Sequence, residues 1–128
     1  MPTIKFENAK LLRTKQYDLE DRTFLFAKEV RTFIKAIPRT IASIEDTKQL
    51  VRSSGSIGAN YIEANESLSK KDFLMRIKIC RKEAKETCYW LRLVEIGDGS
   101  ALEKHRSDLI REATELMSIF GAILRNSQ

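Results

Sequence analysis

The sequence predicts an all-α protein, an antiparallel up-down-up-down four-helix bundle. Glycine and proline are scarce, at 5 and 2 residues, and β-branched residues do not alternate with polar ones. Apolar residues instead recur at spacings of three and four in four separate stretches, the period of an amphipathic helix. With 128 residues the chain suits one domain. The expected organisation is a basic arm over residues 1–17, then a bundle over 18–128 with helices at about 18–37, 46–67, 70–96 and 101–125.

The first helix is expected to start at Asp18, an N-cap residue with Asp21 three positions on. Its stripe is Leu19, Thr23, Phe26, Val30, Phe33 and Ile37, widened by Phe24, Ala27 and Ile34. Pro38 disfavours helix at the residue before it and ends the element there or slightly earlier. The second helix, from about Asp46, carries Leu50, Ser54, Ile57, Tyr61, Ala64 and Leu68. Gly55 and Gly58 lie in its middle, each costing about 1 kcal/mol against alanine, so close approach of another backbone is expected to compensate.

The third helix has the clearest pattern. Ser69 and Asp72 resemble a capping box, with Asp in place of Glu. Phe73, Ile77, Cys80, Ala84, Thr87, Leu91 and Val94 then form a heptad stripe, and Gly97 supplies the stop. The fourth opens on a Ser100–Glu103 capping box. Leu102, Leu109, Ala113, Leu116, Phe120 and Ile123 form one stripe, and Ile110, Met117 and Leu124 a second beside it. Short connections at 68–70 and 97–100 make neighbouring helices antiparallel. The 1–17 arm has four basic residues, one acid and no clean period.

Hydrophobic residues make up 42% of the chain, enough for a core, and charged residues 32%. No apolar run approaches the length of a membrane span. Phe6, Leu11 and Leu12 sit among charges, unlike the layout of a signal peptide, so the expected location is cytoplasmic with no membrane partner. Cys80 and Cys88, eight apart on one helix, stand roughly 12 Å from each other, too far for a disulfide. One histidine and no paired cysteines leave no metal set. His105 has Glu103 two before it, on another face, and reads as a solvated residue. No phosphate-binding glycine loop or activated nucleophile emerges. The expectation is a protein without enzymatic activity, cofactor or metal.

The functional signal lies on the third helix. Between residues 70 and 92, eight basic residues face Asp72, Glu83 and Glu86, a local excess of five that equals the net charge of the whole chain, +5. Lys71, Lys78, Lys82 and Lys85 share one helical face, with Arg92 a heptad beyond Lys85. Such a stripe could neutralise several nucleic-acid phosphates. A solvated face with Lys82–Glu86 pairs is the plainer alternative. Aromatic interleaving, the mark of single-strand stacking, is weak. On the second helix, Ser53, Ser56, Asn60, Glu63 and Ser67 form a polar stripe beside Arg52. This is either a solvent-facing side or a seam between subunits, with Arg52 and Glu63 pairing across it and Gly55 and Gly58 allowing tight packing. Trp90, Tyr89, Met75, Leu74 and Ile79 lie off the third helix's main stripe and suit either a thick core or a subunit interface. The expected interface residues are Arg52, Gly55, Gly58, Asn60, Glu63 and Trp90.

The run Gln49-Leu50-Val51-Arg52-Ser53-Ser54-Gly55-Ser56-Ile57-Gly58-Ala59-Asn60-Tyr61-Ile62-Glu63-Ala64 resembles the signature of the bacterial four-helix-bundle proteins also called 23S rRNA intervening-sequence proteins. Ser69-Lys70-Lys71-Asp72-Phe73, Lys82-Glu83-Ala84-Lys85-Glu86, Tyr89-Trp90-Leu91-Arg92, Tyr17-Asp18-Leu19 and Pro38 fit the same pattern. The resemblance spans roughly residues 17 to 125. It implies the four-helix bundle and assembly into a ring-like homopentamer, as in the related accessory proteins of diversity-generating retroelements. Those relatives also imply RNA or DNA and a nucleic-acid enzyme, a reverse transcriptase, as partners. The resemblance defines no activity for this branch and no active site. The expected function is a non-enzymatic homo-oligomer binding nucleic acid through Lys71, Lys78, Lys82, Lys85 and Arg92. The alternative is a protein-interaction scaffold or accessory subunit.

Overall fold

The computed structural model describes residues 19–127, which form four helices and no strand. The expected arm over residues 1–17 and the Asp18 cap lie outside the described residues. The helices are α1 (Leu19–Lys35), α2 (Ile41–Asn65), α3 (Lys70–Leu93) and α4 (Ser100–Ser127). Each packs on its neighbours in the chain, and α1 closes onto α4, completing a four-sided bundle.

The heptad stripe of α3 behaves as its spacing requires. Ile77, Cys80, Ala84, Thr87 and Leu91 are buried, as is Val94 just past the helix, and Phe73 is half-buried. They meet Phe26, Val30 and Phe33 of α1, Leu50 and Ile57 of α2, and Leu109, Leu116 and Phe120 of α4 in one apolar core. Burial of this area is the main stabilising term, at about 25 cal/mol per Å² of apolar surface.

Helix ends follow local hydrogen bonding. Ser69 Oγ accepts from the Asp72 amide at 3.1 Å, giving α3 its N-cap. Gly97 takes φ of +75°, the left-handed conformation that lets the chain turn after α3. The second helix starts at Ile41, five residues before the expected Asp46. There Thr40 Oγ1 accepts from the Ser43 amide at 3.0 Å, and Ser43 Oγ accepts from the Thr40 amide at 2.8 Å. This reciprocal cap uses serine where Glu or Gln is usual, and Ile41 is exposed, so neither cap nor apolar period marks the start. In α4, Glu103 is tied to the first turn and its approach. Its carboxylate accepts from Arg106 Nη2 at 2.8 Å, while its amide donates to the Gly99 carbonyl.

Polar groups set the helix register. Between α1 and α4, Arg22 Nε and Nη2 donate to the two carboxylate oxygens of Glu112 at 2.7 and 3.0 Å, and Nη2 also reaches Glu115. Arg22 and Glu112 are both buried. Burial by itself would lower the Arg22 pKa, but the bonds to Glu112, then Glu115, outweigh it and raise it. A second α1–α4 contact overturns the expectation of a solvated His105. Its ring is half-buried, with Nε2 3.1 Å from Glu29 Oε1 and its edge against Phe33. Burial lowers its pKa, partly opposed by Asp108. Phe24, expected on the apolar face of α1, is instead exposed beneath Lys28.

Candidate nucleic-acid interface

The face of α3 opposite its core stripe carries the five cations singled out by spacing. Lys71, Lys78, Lys82, Lys85 and Arg92 are all exposed. At 1.5 Å rise per residue the row is about 31 Å long. The row also continues without a gap. Met75 lies between Lys71 and Lys78, and Tyr89 between Lys85 and Arg92, each completing a four-three rhythm. Both are about half exposed, at 51% and 54%. Tyr89 was legible as a member of this row from spacing alone, because it falls four after Lys85 and three before Arg92.

Two of the three acids of α3, Glu83 and Glu86, are engaged on its α2 side. Arg52 donates to both oxygens of Glu83, at 3.4 and 3.2 Å, and also pairs with Glu86. The bonds to Glu83 are the largest cause of its raised pKa, followed by an opposing burial effect and then Glu86. Trp90 Nε1 also donates to Glu86 Oε1, at 3.3 Å. Glu86 is therefore not the Lys82 partner that a solvated face would use. None of the five cations has an ion-pair partner among the described residues. Arg76, on the same helix, is turned to α2, where Nη1 donates to Asn60 Oδ1 at 2.9 Å.

Most of the residues expected at a subunit interface also make contacts within the chain, and none of them is fully buried there. Arg52 bonds Glu83 and Glu86 of α3. Ser53 Oγ accepts from Thr87 Oγ1 at 3.0 Å in the buried α2–α3 contact. Asn60 is held by Arg76 and Trp90 by Glu86. A Cβ on Gly58 would stand 2.8 Å from Thr23 Oγ1, so the close approach that this glycine permits is to α1 of the same chain. Gly55 has more room, with only Arg31 Nη2 at 3.4 Å. Glu63 is exposed, beside a surface hollow that it shares with Leu68, Met75 and Arg76 at the α2–α3 turn.

Both cysteine thiols are held toward their neutral form. Burial pushes the Cys80 thiol up to about 12, and its Sγ sits 3.5 Å from the Ile57 carbonyl. Burial also raises the Cys88 pKa, partly offset by Thr114 and Arg92. Among the described residues no three His, Cys, Asp or Glu side chains gather into a metal-binding group. No helix among them is long and apolar enough to cross a membrane.

The sequence pattern of the 23S rRNA-intervening sequence protein family matches residues 15–122. The chain belongs to this family. The matched region takes in α1 to α3 and most of α4. Its fold is similar to a crystal structure from Bacteroides thetaiotaomicron, described as a protein of unknown function from the S23 ribosomal protein family. The two are 27% identical, with a TM-score of 0.71, over 84% of this chain and 98% of that one. No curated protein matches the chain.

Proposed function

We propose that this member of the family is a non-enzymatic, cytoplasmic homo-oligomer that binds RNA or DNA through the outer face of α3. One observation carries the reading. Five exposed cations stand in a row while Glu83 and Glu86 of the same helix are held by Arg52. The outward field of the helix is therefore positive, without the intrahelical pairs that would offset it. Lys71, Lys78, Lys82, Lys85 and Arg92 would contact phosphates, which gives affinity and orientation with little base readout. The family's description refers to 23S rRNA, in keeping with a nucleic-acid partner. The homopentameric ring is implied by the family resemblance. It would repeat the row around a closed assembly and multiply a weak site by avidity, and a nucleic-acid enzyme would be a further partner.

Replacing Lys78, Lys82 and Lys85 together by Glu tests the site, because all three are exposed and lie off the core. The variant should keep wild-type helicity and lose RNA and DNA binding. Wild-type affinity in the folded variant would remove α3 from the account.

A protein-interaction scaffold is the second reading, favoured by the exposed Ile62, Leu68 and Met75 around the α2–α3 turn. It predicts partner binding that survives high salt and is lost on Met75→Ser.

A further inference from the structure

We propose that Tyr89 is a base-stacking platform, so that the α3 face takes single-stranded nucleic acid in preference to duplex. The inference rests on the assignment of this face to nucleic acid and adds the class of strand it accepts.

Three features of the residue support it. Tyr89 occupies the one place in the upper half of the row where a cation is missing. By helix geometry it lies about 6 Å beyond Lys85 and about 4.5 Å before Arg92, so a strand whose phosphates follow the cations passes over its ring. More than half of the residue's surface is open, at 54%. The ring is also supported. Trp90 packs against it in a T-shaped contact, with centroids 5.0 Å apart and planes at 80°. Trp90 is in turn fixed by its indole N–H on Glu86, which Arg52 holds from α2. A side chain braced by a neighbouring ring and more than half exposed can offer its ring to a base at little ordering cost.

This arrangement discriminates by strand form. The bases of a duplex are stacked on one another, so a duplex lying on α3 meets the cations and gains little from Tyr89. A single strand can turn a base onto the ring, and each such stack adds to affinity without regard to sequence.

The experiment compares full-length wild type, Tyr89→Leu, Tyr89→Phe and the Lys78/Lys82/Lys85→Glu variant by fluorescence anisotropy. The probes are short oligouridylate, oligothymidylate, an abasic strand with the same phosphates, and a duplex of equal length. Tyr89→Leu should weaken binding to the single strands with bases by about 5- to 150-fold. It should leave the abasic strand and the duplex within about twofold, and Tyr89→Phe should bind as wild type does. The RNA and DNA probes separate the two sources of such a strand. Unchanged single-strand binding by Tyr89→Leu, or an equal loss on duplex, overturns the stacking role. In that case loss of all probes by the lysine variant would leave the phosphate-binding assignment standing. Absence of binding by wild type overturns both and points to a protein partner.

Discussion

Gly55 and Gly58 lie three residues apart in the middle of α2, and alanine at the two positions should change stability in opposite directions. In an unobstructed helix the change to alanine stabilises by about 1 kcal/mol. At Gly55 the new Cβ meets only Arg31 Nη2 at 3.4 Å, the end of a flexible, exposed side chain, so most of that gain should appear. At Gly58 the Cβ would stand 2.8 Å from Thr23 Oγ1 and 3.2 Å from Thr23 Cβ. Thr23 is 1% exposed and its hydroxyl donates to the Leu19 carbonyl at 2.7 Å, so it has no room to turn aside. Relief requires α1 and α2 to separate. Overpacking of this kind costs about 1–3 kcal/mol, so after the propensity gain of about 1 kcal/mol Gly58→Ala should lose up to about 2 kcal/mol. Urea unfolding with unchanged m-values measures both differences. Adding Thr23→Ala to Gly58→Ala should recover part of the loss, as expected for two residues in contact. A Gly58→Ala protein stabilised as much as Gly55→Ala would refute the packing argument for this glycine.

Two further outcomes follow from the α1–α4 contact. Arg22→Met leaves the buried Glu112 without its bidentate partner and should destabilise the protein by about 3–5 kcal/mol, whereas Arg22→Met with Glu112→Leu should recover most of it; denaturant midpoints decide. His105 has a folded pKa below its ordinary value because burial disfavours its charged form, so the unfolded chain binds the proton first. Stability is then full above the ordinary histidine pKa of about 6.5 and falls as pH drops from there through the lower folded value. Unfolding midpoints measured from pH 7.5 downward should show this slope, and His105→Gln should flatten it.

The helices were legible because the core stripes stay in phase over most of their length, although Leu68, expected on the α2 stripe, lies past that helix and is fully exposed. Ile77 to Leu91 on α3 and Leu109 to Phe120 on α4 recur at three and four, and burial follows them. The start of α2 was not, because Ser43 replaces the usual acid in its cap and the helix's first residue, Ile41, is solvent-exposed. His105 was legible in principle. It lies three after Leu102 and four before Leu109, on the same stripe, and its polar neighbours concealed that. The polar contacts needed more than one helix. Arg22 with Glu112, and Arg52 with Glu83, are joined only once antiparallel register brings α1 to α4 and α2 to α3. The cations of α3 were found by spacing because an exposed face repeats as regularly as a buried one. The fate of their neighbouring acids depended on α2, out of reach of a single-helix pattern.

The salt dependence of wild-type binding to a short single-stranded RNA tests the central claim most directly. With all five cations of one α3 face on phosphates, the logarithm of the binding constant should fall with the logarithm of salt concentration at a slope of about −3.5. Binding that is absent at low salt, or unchanged as salt rises, would contradict the assignment of this face to nucleic acid.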